Sequence, residues 1–360
     1  MAGQGLIAVV GAGLAGLAAA TRLRGLGHPV VVIEVDHEFS DQDLSTEADR
    51  LTFTGLPAWQ ELFFDTGTDL TSVLAKRGLE LRPAPPAKHR LADGRTIELP
   101  TDRLGQLDAI TAALGEDAAT AWNELLGRLA EVSRVVSYLG QDHPFTRTSL
   151  TTPERHALQV KYSLADLAAA LPSVELGEIV LNLAAWLGQR PQWLPAWQAY
   201  RLAVDGEQGR WRLVDAAGRP QPPSALAEAL VSRLRELGGE MRLGEEVLEV
   251  RRGPRLSTTA GSLSPAAVIS TVSPFTHADL THERADQKLT RQLWASPSGG
   301  PMWRGWRTLL DLPKLEPSLP RVVVASAWSP GGPDSWAQIL TGRLAADHLA
   351  ADLGPIRQAR

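Results

Sequence analysis

Leu6-Ile7-Ala8-Val9-Val10 is a short, unbroken apolar run, the pattern of a parallel strand buried on both faces. Gly11-Ala12-Gly13-Leu14-Ala15-Gly16 follows without a polar residue. Leu17 to Leu26 is rich in alanine and leucine and predicts a helix, closed by Gly27. Pro29 opens a second apolar run, Val30-Val31-Val32-Ile33, with Glu34 at its end. The predicted order is strand, glycine turn, helix, strand and acid, within roughly 30 residues. Beyond it the pattern turns helical. Pro57–Thr66 and Leu70–Arg77 predict short helices. Lys88–Leu99 predicts a hairpin that turns at Asp93-Gly94, and Thr101–Leu139 one long helical region. Leu164–Ala170 and Leu176–Trp186 are further helices. The sheet pattern then returns: an amphipathic helix Ser224–Leu237 ended by Gly238-Gly239, strands Glu240–Leu243 and Glu246–Arg251, and a turn at Gly261. A buried-type strand Ala266–Thr271, a strand Arg321–Ala325, a loop Ser329–Pro333 and a helix Ser335–Leu353 complete the reading.

The first unit carries recognisable chemistry. Gly11 permits a tight turn out of the strand, Gly13 lets backbone approach a pyrophosphate, and Gly16 lets the helix pack closely on the strand. The helix N-terminus offers unpaired N–H groups and partial positive charge to phosphates. Glu34 is placed to accept hydrogen bonds from an adenosine ribose. A carboxylate there disfavours the 2′-phosphate of NADP, so FAD or NAD fits better.

Composition narrows the rest. A net charge of −5 with mixed signs gives no nucleic-acid surface, and Arg251, Arg252 and Arg255 read as a solvated strand end. The absence of cysteine excludes disulfides, thiolate metal sites, cysteine nucleophiles and cysteine-linked flavin. No apolar run is long enough to span a membrane and none reads as a signal peptide, which predicts a cytoplasmic protein, free or membrane-associated. The 11 tryptophans read either as core and lid packing or as the wall of an apolar substrate cavity or a membrane-facing entrance. His156 and His277 read as loop residues, His348 as a surface residue, and Glu175 and Glu178 as a solvated helix face. No grouping suggests a metal or a hydrolase.

The ordered segments resemble the flavin oxidoreductases that include phytoene desaturases, carotenoid isomerases and flavin-dependent amine oxidases, the desaturase side being nearest. The resemblance rests on Val9 to Leu17, Leu51 to Gly67, the Leu91–Arg95 hairpin, Ala196 to Trp211, Leu226 to Val250 and Ala325 to Ala346. It implies a Rossmann-type α/β domain, a parallel sheet with antiparallel crossover strands, built from residues 1–45, 202–274 and 318–360. A mostly helical substrate domain would be formed by 46–201 and 275–317. It implies FAD held by Gly11, Gly13, Leu14, Ala15, Gly16 and Glu34, with the backbone near Val247 on the adenine side. Ser326, Gly331 and Gly332 would lie toward the phosphates and the flavin. It also implies desaturation or isomerisation of an apolar, isoprenoid-like substrate. The sequence departs from the pattern at Phe39–Asp43, which has no glycine pair, at Arg219–Pro223, and at Ser326-Ala327-Trp328. Those departures keep open a non-catalytic or flavin-free partner or binding protein of the same fold, and an amine oxidase or NAD-binding enzyme stands as a second alternative. Homo- and hetero-oligomers are both compatible with the sequence, and no catalytic residue is assigned.

Overall fold

The first apolar run becomes the centre of a parallel sheet. The computed structural model describes residues 5–37, 51–282, 301–316 and 319–354. In chain order the elements are β1 (Ile7–Val10), α1 (Leu14–Gly25), β2 (Val30–Glu34), α2 (Leu56–Phe64), α3 (Leu70–Lys76), β3 (Leu79–Pro83), β4 (Ala87–Arg90) and β5 (Thr96–Leu99). Then come α4 (Arg103–Leu114), α5 (Glu116–Ser137), α6 (Thr152–Ala157), α7 (Leu164–Ala169), α8 (Val174–Trp186), α9 (Tyr200–Gln208), β6 (Trp211–Asp215), β7 (Pro220–Gln221) and α10 (Ser224–Glu236). The last group is β8 (Glu240–Leu243), β9 (Val247–Arg251), β10 (Arg255–Thr258), β11 (Gly261–Leu263), β12 (Ala267–Ser270), α11 (Pro274–Thr281), a short helix Thr308–Asp311, β13 (Val322–Val324) and the C-terminal helix Ser335–Leu353.

The main sheet has the order β13-β12-β1-β2-β8, with every neighbouring pair parallel. Ile7 pairs with both Val30 and Ala267, so β1 is covered on both edges as well as both faces. Each fully buried valine or isoleucine contributes roughly 1.5–3 kcal/mol over leaving it exposed, which is why these runs carry no polar residue. α1 packs on this sheet and is itself roofed by the C-terminal helix. Its alanines and glycines let the two helix backbones approach: a Cβ added at Gly342 would lie 2.3 Å from the Ala15 carbonyl oxygen. The crossover is an antiparallel meander, β11-β10-β9.

Two smaller sheets, β3-β6-β7 and the hairpin β4-β5, join the helices of the middle of the chain. β3 and β6 pair antiparallel from Leu79–Asp215 to Pro83–Trp211, a long-range ladder that no local pattern announces. Three corrections to the sequence reading arise here. Thr101–Leu139 is two helices, because Gly115 adopts φ +94° and both ends α4 and starts α5. The turn expected at Gly261 falls at Thr259-Ala260, and Gly261 opens β11 by pairing with Thr258. α1 begins three residues earlier than expected, at Leu14, with Gly13 as its N-cap.

Candidate functional site

The parallel strands all end at one edge, and the glycine turn lies there. Gly11 has φ +99°, and a Cβ on it would stand 2.6 Å from the Thr271 hydroxyl. That hydroxyl bonds the Val10 and Gly11 carbonyl oxygens, each at 2.9 Å, and ties β1 to the end of β12. A Cβ at Gly16 would meet the Gly11 carbonyl oxygen at 2.4 Å, so this glycine is required for α1 to sit on the turn. Gly13 supplies no side-chain cap, and the first turn of α1 carries no acid. Among the described residues the first N–H groups of this helix have no side-chain acceptor, and the helix end carries partial positive charge. Glu34 closes the other side: its carboxylate accepts from the Ala12 amide at 2.5 Å and the Asp36 amide at 3.2 Å. A carboxylate has about four lone-pair sites, so acceptors remain for a ribose. These residues fit the ADP half of a dinucleotide.

Gly11, Gly13, Leu14, Ala15, Gly16 and Glu34 are therefore brought together. Ser326 lies just past β13 on the same sheet edge and is held in its own turn, its amide donating to the Ser329 hydroxyl at 3.0 Å and its hydroxyl accepting from the Trp328 amide at 3.2 Å. Trp328 is buried against Phe275, with ring centres 6.0 Å apart. Val247 is buried in β9 opposite Thr258. Gly331 and Gly332 lie in the loop that leads into the C-terminal helix. The Gly331 carbonyl accepts from the Gln141 side chain at 3.0 Å, and Gly332 (φ +100°) lies beside Arg201 and Asp334. Phe39–Asp43 lies outside the described residues.

Arg201 and Asp334 belong to a cavity of about 550 Å³, walled by Thr54, Trp186, Leu187, Asp205 and Trp336 among others. The size suits a small organic molecule. Arg201 Nε and a terminal nitrogen bond the two Asp334 oxygens at 2.9 and 2.7 Å. Burial opposes the charge on Arg201, but Asp334 outweighs it and raises the guanidinium pKa further. The Tyr200 phenol is pushed up by burial and stays protonated. Asp205 differs: among the described residues its carboxyl has no hydrogen bond or ion pair, and burial pushes its pKa up to about 7 against the pull of Arg210. Arg210 reaches across to the Pro85 carbonyl at 2.6 Å. Trp336 stands in the first turn of the C-terminal helix, and Gly342, the contact with α1, follows about 9 Å along the axis. One helix thus links the cavity wall to the dinucleotide cradle.

His89, on β4, is buried with its ring 5.1 Å from that of Trp186. Burial first, and Arg210 second, lower its pKa to about 4. A neutral buried histidine contributes stability in full above its unfolded value of 6.5, and this is lost as pH falls toward about 4. Asp205 works the opposite way: its burial penalty is absent below 3.8 and complete above about 7. The two slopes oppose each other over one window. His89→Leu is expected to lose about 2–3 kcal/mol less than the wild type between neutral pH and pH about 4.5, by urea unfolding at each pH. Equal losses in the two proteins would refute it.

Several sequence expectations are corrected. His277 is no loop residue: it is buried in α11, with Nδ1 2.9 Å from the Ser270 hydroxyl. Glu175 and Glu178 are not a solvated face, because Glu175 bonds Arg95 at 2.8 Å and Glu178 accepts from the Ala92 amide at 3.0 Å, so both pin the hairpin turn. His348 does stand at the surface, 2.6 Å from Glu316. Of the tryptophans, Trp59 and Trp122 are core, whereas Trp186 and Trp336 line the cavity. Asp205, Arg201 and Asp334 were not singled out. The only local signal is Arg201 and Asp205 four apart on a helix, a spacing that solvated faces share. No group of three metal-ligating side chains occurs among the described residues, and no described helix is long and apolar enough to cross a membrane.

Sheet order, glycine turn and edge site define an α/β protein with a Rossmann-like dinucleotide domain. Residues 9–54 match the family model of the NAD(P)-binding Rossmann-like domain. The whole fold is similar to that of cyclohexylamine oxidase from Brevibacterium oxydans, with a TM-score of 0.54 and 14% identity over 96% of this chain and 99% of that one. It is also similar to putrescine oxidase bound to putrescine, with a TM-score of 0.50 and 18% identity over 76% of this chain. The chain spans 59% of the length of that putrescine oxidase. A search of curated protein sequences finds no match.

Proposed function

We propose that this protein is an FAD-dependent oxidoreductase whose substrate is a small amine with an apolar body, held in the 550 Å³ cavity. The observation that carries the reading is the cradle: Gly11 and Gly16, each without room for a Cβ, set the uncapped first turn of α1 between the ends of β1 and β2 beside Glu34. The α1 amides would hold the pyrophosphate and Glu34 the ribose, and its charge favours FAD or NAD over NADP. FAD, when bound, supplies a two-electron acceptor. In the cavity, the Asp205 carboxyl has no hydrogen bond or ion pair among the described residues and would gain from a cationic ligand against the wall cations Lys88 and Arg210, and the indoles of Trp186 and Trp336 favour the same charge. Arg201 is already committed to Asp334 and only shapes the wall. The charged wall fits an amine better than an isoprenoid hydrocarbon, and the fold shared with two amine-named oxidases agrees.

Trp328, buried where the resemblance expects a small residue, favours a second reading, a flavin-free binding protein of this fold. The visible absorbance spectrum of purified protein, before and after loading with excess FAD and desalting, separates the two. Retained flavin bands are expected. A colourless protein after loading would sink the oxidoreductase and leave the binding protein.

A further inference from the structure

The turn after α8 and the segment after Pro301 lie side by side. The Gly305 amide donates to the Trp193 carbonyl at 2.7 Å, and the Gln189 side chain bonds the Pro301 carbonyl at 3.2 Å and the Trp303 amide at 3.0 Å. On this platform the guanidinium of Arg190 lies 4.6 Å from the Trp193 ring centre and that of Arg304 5.4 Å from it. Arg307 lies 5.8 Å from the neighbouring Trp306 ring. Trp193 is 37% exposed, and all three arginines are exposed. Among the described residues none of the three is in an ion pair, although the exposed Arg82, Arg95 and Arg219 each bind a carboxylate. Three exposed guanidiniums around two indoles, in a chain of net charge −5, form a concentrated cationic and aromatic face.

We propose that this Arg190–Trp193–Arg304–Trp306–Arg307 face docks the protein on an anionic phospholipid surface. Indole has an apolar body and a polar edge and settles at headgroup depth, and guanidiniums beside it meet phosphate and carboxylate headgroups. Among the described residues the face is built on a turn and an irregular segment, neither of which offers a strand for a polypeptide to pair with. It also adjoins the cavity: Gln189, which clamps the two segments, follows Leu187 of the cavity wall by two residues. An amphipath leaving the bilayer there would meet that wall first. The proposal does not depend on flavin binding.

Sedimentation with vesicles tests it, using phosphatidylcholine alone and phosphatidylcholine mixed with phosphatidylserine. Binding to the mixed vesicles only is expected, weakening as salt is raised. Each arginine near such a surface is worth about fivefold in affinity, so the triple variant R190Q/R304Q/R307Q should lose on the order of a hundredfold. The variant R134Q/R147Q/R252Q changes net charge equally at exposed positions outside the face and should keep most of the binding. Trp193→Ser should weaken binding in a salt-insensitive way. Equal losses in the two triple variants would show general electrostatics and overturn the assignment. Failure to bind the mixed vesicles while binding poly-glutamate or single-stranded DNA would assign the face to an acidic macromolecule instead, and binding to neither would end the proposal.

Discussion

Gly342→Ala is expected to cost about 3 kcal/mol of stability and, with it, the hold on the dinucleotide. The added methyl would meet the Ala15 carbonyl oxygen at 2.3 Å and Ala18 Cβ at 3.0 Å. Both contacts belong to a helix backbone or its first carbon, so no rotamer change relieves them, and the C-terminal helix must move away from α1. Overpacking of a rigid interface costs about 1–3 kcal/mol, and a backbone clash belongs at the upper end. For a chain of 360 residues that corresponds to a fall in Tm of roughly 4 °C. Ala15 lies in the first turn of α1, whose amides face the phosphates, so the displacement reaches the cradle directly. Thermal unfolding followed by circular dichroism, with flavin retention measured beside it, gives both readouts. An unchanged Tm would mean the two helices do not approach as described. A lowered Tm with full flavin retention would mean the cradle is independent of the C-terminal helix.

Asp205→Asn is the second large effect. An ammonium ligand paired with a partly desolvated carboxylate gains about 1.5–3 kcal/mol, so its removal should raise the amine Kd about 10- to 100-fold. The corresponding alcohol, with no positive charge, should bind both proteins alike. In the wild type the carboxyl is protonated below about 7. Amine affinity should therefore rise with pH up to about 7 and level off above it, while the Asn variant stays flat across that range. Calorimetric titration at several pH values provides the test. A wild-type affinity that ignores pH between 5 and 8 would remove Asp205 from the binding site. These pH values bracket the cavity carboxyl and leave the solvated carboxylates ionised.

The parts of the molecule legible from sequence are those built by neighbours in the chain. Val9, Gly11, Gly13, Gly16 and Glu34 act within one βαβ unit, so spacing alone was enough to place them. The hairpin Ala87–Leu99 announced itself through Asp93-Gly94 for the same reason. The helix break at Gly115 was hidden because apolar periodicity continues on either side of it, and only the positive φ marks the change of direction. The β3–β6 ladder joins residues more than 100 apart, where pairing leaves no local trace. The cavity was least legible of all. Thr54, Trp186, Arg201, Asp205 and Trp336 come from separate segments, and a buried charge has the same letter as a solvated one. Its one hint was the concentration of tryptophan, which the core and the cavity share.

The central position of β1 has a consequence for biosynthesis. The strand is made before both of its partners, and one of them, β12, is made some 260 residues later, with the helix that roofs α1 later still. At translation rates of roughly 5–20 residues per second the nascent β1–α1–β2 unit waits on the order of tens of seconds with a bare apolar edge. Such long-range pairing is slow to form and prone to mispairing while it waits. A chain interrupted before Ala267 would keep the nucleotide motif intact in its letters and yet expose the strand Ile7-Ala8-Val9-Val10 as a free template. The last third of the chain therefore completes the sheet that the first third begins.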